Sequence, residues 1–525
     1  MCRRPFVFCL GSLSLFFALA SAAAANEKPT IPLDVEKLAE RIDGHLARKM
    51  KETGIAPAPL IDDAAFLRRV YLDLAGCIPS ILDIRDFLDD PRPNKRRIWV
   101  DAILDSKKPS RKPDAFSRHF ANVYRAAILA RVNEEIAVAN TPALESWLRN
   151  QFESNVPYDR MVRELIGDET PKSGESAGSI YYRINDNKPE NLAANTSSLF
   201  LGIKLECAQC HDDRSGGNWS QDQFWSFAAF FAGNSPEGET SNKKEIVVPG
   251  RKQTVSARFL DDSEPKWKPN DNPRVVLAEW LVAPNNPYFT RTAVNRLWSY
   301  FFGTGLTDPI DEQGAHNPPS HPELLDELSQ QFIAHHFDLK YMIKAIVSTD
   351  AYQRSSVTGD PRRDDPRLFA RAFVRGLSAE QLFDSLAEAT EYENYRVDSS
   401  ARFDNPENQT PRQRFLARFA HRDKPTEATT SILQALYLMN SSFVAERTSL
   451  SHNKTLATIA DSANTSTERR IETLYLVSLS RKPSAAELKR LVAYIERGGP
   501  TGDRRTALAD LFWALLNGPE FRLNH

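Results

Sequence analysis

Apolar residues recur every three or four positions along most of the chain. Val35, Leu38, Ile42, Leu46 and Met50 form one face of a predicted helix. Phe66, Leu67, Val70, Tyr71 and Leu74 form another, which Gly76 stops. Thr141 with Pro142 reads as an N-cap and first-turn proline ahead of Leu144, Trp147 and Phe152. A single helix is expected over 188–211, with Leu192, Leu199, Ile203 and Leu205 on its apolar side. Ser220 with Gln223 opens a strongly aromatic helix through Phe224, Trp225, Phe227, Phe230 and Phe231. The same cap pattern, Ser or Thr followed three positions later by an acid or amide, recurs at Ser80/Asp83, Ser320/Glu323, Ser378/Gln381 and Ser484/Glu487.

The pattern changes twice. Residues 234–272 are rich in Gly, Ser, Asn, Lys and Glu, with strand-like runs at Ile246–Val248 and Val255–Leu260. Residues 451–467 are rich in Ser, Thr, Asn and Ala and read as a loop. The expected fold is mainly α, with two helical domains at 31–233 and 273–525 joined by a linker, 234–272, that holds a small β element. No internal repeat of fixed period is visible.

The N-terminal residues 1–25 read as a secretory signal peptide. Arg3 and Arg4 precede the apolar run Phe6–Leu19, and alanine-rich cleavage sites follow. The mature chain is therefore expected to be exported, periplasmic or secreted, without a membrane span. At 525 residues, 41% hydrophobic and 26% charged, the chain has ample material for a large core. Its 67 basic and 69 acidic residues nearly balance, which argues against a bulk electrostatic nucleic-acid binder. Pro (33) outnumbers Gly (22), which suits proline-punctuated helices better than a Gly-rich sheet protein.

Of five cysteines, Cys2 and Cys9 leave with the leader. Cys77, at a helix end, reads as a small buried hydrophobe. The other two form Cys207-Ala-Gln-Cys210-His211, the attachment pattern of a c-type haem. Two thiols three residues apart can each add to a vinyl group of one porphyrin, and the adjacent imidazole can ligate its iron. Composition gives roughly 0.001 chance matches over the chain. Such attachment also requires export. Three other readings stay open: a local disulfide, a contribution to another metal site, and a structural remnant.

No methionine lies between His211 and Met342, so a second axial ligand is not assignable from order alone. His316, His321, His335, His336, Met342 and Met439 are all candidates. Asp212 and Asp213 could bond an imidazole or simply form a turn. Asp308, Asp311, Glu312 and His316 form a polar loop that is either a site mouth or the rigid lead into a helix. Arg68, Arg69 and Asp73 lie at helical spacing and are expected to pair with one another. Asn295, Arg296 and Trp298 read as interface and core. No Gly-rich phosphate loop, Gly-x-Ser-x-Gly elbow or His-Glu-x-x-His is present, so no catalytic residue is assigned.

Several stretches resemble a known family. They are Phe66–Gly76, Pro157–Leu165 and Phe200–His211, and the first half is similar in them to the planctomycete cytochrome-like domain family. The second half resembles its usual companion domain of unknown function. The matching stretches there are Asn295–Trp298, Asn317–Leu325, Leu377–Leu382 and Asp510–Asn517. The resemblance implies an exported, mostly helical two-domain protein and implies no activity. The sequence departs from the family at Asp213, where a second histidine is common. It departs again near Ala420 to Ala428, where a cysteine-containing segment is replaced. Two functions are carried forward. One is an electron-transfer or redox protein with haem c on Cys207, Cys210 and His211. The other is a helical scaffold or hydrolase-like protein serving polysaccharide breakdown, with the cysteine pair structural or metal-binding. Redox or polysaccharide-processing partners follow from each.

Overall fold

The helix Asp63–Ala75 explains much of the architecture. Asp62 caps it by accepting from the Ala65 amide, and Gly76 ends it at φ +71°. Every residue from Phe66 to Ala75 is buried, including Arg68, Arg69 and Asp73. The stretch Phe66–Ala75, apolar on all but three positions, has no solvent face, so other elements enclose it. The computed structural model describes residues 31–167, 176–213, 217–233, 243–251, 253–357, 359–392, 410–419 and 438–525. The signal-peptide expectation at 1–25 and the departure near Ala420 to Ala428 lie outside the described residues.

The fold is mainly α, as expected. Among the described residues β structure amounts to two short antiparallel pairs. Strands Glu245–Val247 and Thr254–Ser256 pair with Ile246 opposite Val255, inside the 234–272 stretch. Arg375–Gly376 pairs with Leu523–Asn524, tying the C-terminal segment to the middle of the chain. Among the described residues no helix is long and apolar enough to cross a membrane.

Packing runs across the 234–272 stretch without a break. Helix Pro273–Leu281 packs on Tyr158–Gly167, and Leu339–Ser348 packs on Val35–Glu52. One core takes residues from Leu38 to Ala370 together with Leu476, and a second takes most of its residues from Leu382 to Phe521. Leu72 and Ile78, at the end of the buried helix, belong to the second core. The two predicted helical regions therefore share a core.

Several local expectations change. Helix Glu134–Glu153 begins at Asn133, whose side chain accepts from the Glu135 amide, and Pro142 lies inside it. A proline there removes one donor from the ladder. Asn140 Nδ2 and Thr141 Oγ1 donate to the neighbouring Ile136 and Ala137 carbonyls, both at 2.8 Å. Ser320 does not cap. Its amide donates to the Leu306 carbonyl at 2.7 Å, and His321 takes the cap position before Pro322. Within 451–467, Asn453 caps a helix, Lys454–Asp461, that buries Leu456 and Ala460. Ser220, Ser378 and Ser484 do form full capping boxes. Ser80 accepts from the Asp83 amide as a simple cap.

Arg68, Arg69 and Asp73 do not pair among themselves. Arg68 donates to the Ser478 and Phe521 carbonyls, each at 3.0 Å. Arg69 donates to the Tyr352, Arg354 and His525 carbonyls. Asp73 accepts from Arg375, Tyr352 and Asn524. In a helix with no solvent face, partners from other elements displace same-helix pairing.

Candidate functional site

The segment before the cysteines is not one helix. Pro189–Thr196 is α-helical, Ser197–Leu201 is a π-helix, and Gly202 ends it at φ +63°. Wide turns of this kind leave carbonyls unpaired and are enriched at functional sites. Arg296 Nη2 donates to the Ser198 and Leu199 carbonyls, at 3.3 Å each. A Cβ on Gly202 would stand 2.7 Å from Gln313 Nε2, so only glycine fits there without displacement.

The chain then pairs with a distant loop. Ile203 forms an antiparallel bridge with Glu312, and the Gln313 amide donates to the Gly202 carbonyl at 2.8 Å. Lys204 Nζ lies 3.6 Å from Glu312. Arg131 bridges the two sides, bonding Glu206 with one arm and Asp311 with the other. The 308–316 loop is thus joined to the strand that leads into the cysteine motif.

The motif itself is a single 3-10 turn, Glu206–Gln209, followed by Cys210 and His211. Ala208 points inward and is fully buried. Cys207, Cys210 and His211 are all exposed, and both cysteines are free thiols. Cys77, by contrast, is buried, and burial pushes its thiol pKa up. The turn rests on helix Gln221–Ala228. Gln221 Nε2 donates to the Gln209 carbonyl at 3.0 Å, and Trp225 Nε1 donates to the same oxygen at 3.1 Å.

His211 Nδ1 lies 2.9 Å from the Asp212 carbonyl oxygen. A carbonyl only accepts, so Nδ1 carries the proton and Nε2 of the neutral ring is the bare nitrogen. The Asp212 carboxylate instead accepts from the Gln221 amide at 2.9 Å. Asp213 is buried, and its amide donates to the Trp219 carbonyl. Among the hydrogen bonds of the described residues, the His211 imidazole meets the Asp212 carbonyl rather than a carboxylate.

The donor set suits a c-type haem. Both thiols are open to solvent, and the imidazole has the tautomer that leaves Nε2 for a metal. No three His, Cys, Asp or Glu side chains among the described residues converge where a simple metal ion could sit. The surroundings are polar. Phe224, Trp225, Phe227, Phe230 and Phe231 are all buried in the core, so this aromatic helix does not wall an open pocket. Lys204, Asp212 and Asn218 occupy the exposed surface near the turn. The residues present fit attachment of a haem at a polar surface.

The sequence pointed to the turn but not to what supports it. Arg131, Gln221, Trp225 and Gln313 hold it and carry no motif. Asn295 is fully buried, with Nδ2 donating to the Thr307 carbonyl at 2.8 Å, and Trp298 lies in the core.

Residues 41–235 match the family model PSCyt2, described as a protein of unknown function (DUF1549). Residues 273–428 and 391–495 match PSD1, likewise described as a protein of unknown function (DUF1553). The chain is a PSCyt2 region followed by a PSD1 region. This is the order that the resemblance implies, a cytochrome-like domain and then its companion. The cysteine turn lies in the PSCyt2 region, and the loop joined to it lies in PSD1. No curated protein and no solved structure matches the chain.

Proposed function

We propose that this PSCyt2–PSD1 chain is an exported redox protein. Cys207 and Cys210 would hold a c-type haem covalently, and His211 would hold its iron. The observation that carries the reading is the exposure of both thiols on one turn, beside an exposed His211 whose Nδ1 faces a backbone carbonyl. When bound, the group supplies reversible one-electron transfer. The protein's part is to hold the turn from behind through Gln221 and Trp225, and from the side through Arg131. The test is expression with a haem-attachment system. The purified chain is expected to show a Soret band that persists after denaturation, and Cys207→Ser with Cys210→Ser is expected to make the pigment extractable.

One observation favours a second reading, an exported helical scaffold or hydrolase-like protein linked to polysaccharide breakdown. The aromatic helix behind the turn is spent on the core, which leaves no apolar wall. Under that reading the cysteine pair is structural or metal-binding. A colourless product with Cys207 and Cys210 disulfide-bonded would overturn the haem reading and leave this one.

A further inference from the structure

The turn that carries the cysteines has a period of three. Leu205 and Ala208, three residues apart, both point inward and are fully buried. Cys207 and Cys210, also three residues apart, are both exposed and unbridged. Side chains at i and i+3 of a 3-10 helix eclipse one another. The burial follows that geometry, with one column of side chains facing the core and the thiol column facing out. The two thiols therefore stand side by side on one outward face. Their base is fixed from below. Gln221 Nε2 donates to the Gln209 carbonyl and, at 3.2 Å, to the Cys210 carbonyl, and Trp225 Nε1 donates to Gln209 as well. Trp225 itself is packed in the first core.

The surroundings of this face select among ligands. Among the described residues no third His, Cys, Asp or Glu side chain converges with the pair. The aromatic helix behind it is spent on the core, and the open surface is polar, so nothing there wraps a large planar group. A tetrahedral cation such as Zn(II) takes four ligands, of which the turn supplies two. A soft monovalent d10 cation differs on both counts. Thiolates are its preferred ligands, and two sulfurs in a near-linear arrangement satisfy it.

We propose that the Cys207–Cys210 dithiol is a two-coordinate site for a soft monovalent cation, of which Cu(I) is the biological case. The inference rests on the second reading above, in which the pair binds a metal, and not on the haem reading. Binding exchanges two S–H bonds for two Cu–S bonds and releases both thiol protons. The copper stays Cu(I) and no electron moves. Two thiolates around one monovalent cation leave the centre with one negative charge. Its outer side is open to solvent, so a competing soft ligand can approach and exchange the ion while the turn stays folded.

The experiment uses the full chain made without a haem-attachment system, reduced and handled without oxygen, and offers copper as the coloured Cu(I)–bicinchoninate complex. The chain is expected to withdraw one equivalent of Cu(I) and to gain a sulfur-to-copper charge-transfer band in the near ultraviolet. Cys207→Ser and Cys210→Ser are each expected to lose the uptake, with circular dichroism confirming that both variants fold. Uptake that survives either variant would overturn the two-sulfur assignment. A parent that leaves the copper with bicinchoninate, while both thiols react with a thiol reagent, would overturn the inference alone and leave the pair structural. A Soret band that persists after denaturation, in chain made with a haem-attachment system, would overturn the inference together with the reading it rests on.

Discussion

Asp73→Asn removes one charge from a carboxylate that accepts four hydrogen bonds in the interior. Asp73 is fully buried. Arg375 Nη2 donates to both of its oxygens at 2.8 Å, Tyr352 Oη to one at 2.8 Å, and Asn524 Nδ2 to the other at 2.8 Å. Burial alone would lower the Arg375 pKa, but the neighbouring Asp73 charge outweighs it and the guanidinium stays above its ordinary value. The amide of the variant keeps the shape, yet turns a donor toward two donors, Arg375 and either Tyr352 or Asn524, and leaves Arg375 buried without a counter-charge. Breaking one side of a buried ion pair costs about 3–5 kcal/mol. Losing two bonds to a charged group, at about 1.5–3 kcal/mol each, gives the same range. Urea denaturation followed by circular dichroism should show a loss of that size. Because the uncompensated cation is the main cost, Asp73→Asn combined with Arg375→Met should be no less stable than Asp73→Asn alone. A loss below about 1 kcal/mol, or strictly additive effects in the double variant, would refute the argument.

Acid sensitivity should begin well above the carboxylate range. Burial lowers His119 to about 4, and burial with neighbouring cations lowers His321 to about 4. Their unfolded rings titrate near 6.5, so unfolding takes up protons between those values. Stability is complete above about 6.5 and falls as pH drops toward 4, with His119 alone contributing on the order of 3 kcal/mol. Urea midpoints measured from pH 7 to pH 4.5 should decline, and His119→Gln should flatten the slope by about one proton; an unchanged slope would count against a buried neutral His119. Gly202→Ala should cost about 2–3 kcal/mol, from left-handed strain and loss of the Gln313–Thr292 bond at 2.8 Å. Amide exchange near Ile203 should speed up with it, and a neutral variant would show that the loop yields freely.

Local signals were legible because their partners are close in sequence. The face of Leu38, Ile42, Leu46 and Met50, the αL stop at Gly76 and the capping boxes at Ser220, Ser378 and Ser484 each need only a few neighbouring residues. The failures share the opposite cause. Ser320 lost its capping role to a backbone partner, Leu306, and the predicted 188–211 helix opened where Arg296 and Gln313 take its carbonyls. Arg68, Arg69 and Asp73 gave a correct helix and wrong partners, since burial brings competitors from 279 to 456 positions away. At the site, spacing alone named Cys207, Cys210 and His211. Their exposure and their supports depend on residues with no motif, such as Arg131, whose partners lie 75 and 180 positions away.

The buried Asp63–Ala75 helix explains why the two family regions form one packed body. Phe66, Leu67 and Val70 fill the first core, while Leu72 and Ile78 enter the second. Arg68 and Arg69 take carbonyls from Tyr352, Ser478, Phe521 and His525, so polar capping of the C-terminal segment comes from the PSCyt2 region. In return, Pro273–Leu281 and Leu339–Ser348 from PSD1 cover helices 158–167 and 35–52. A chain ending near Gly233 would expose those apolar faces, at about 25 cal/mol per Å² of uncovered apolar surface. It would also lose the 308–316 loop that steadies the cysteine turn. Leu476, Leu72 and Ile78 apart, the cores divide after Ala370, within PSD1, and not at the stretch between the family regions. The cysteine turn therefore depends on PSD1 twice, through the shared core beneath it and through the loop beside it, and neither dependence is visible in the motif itself.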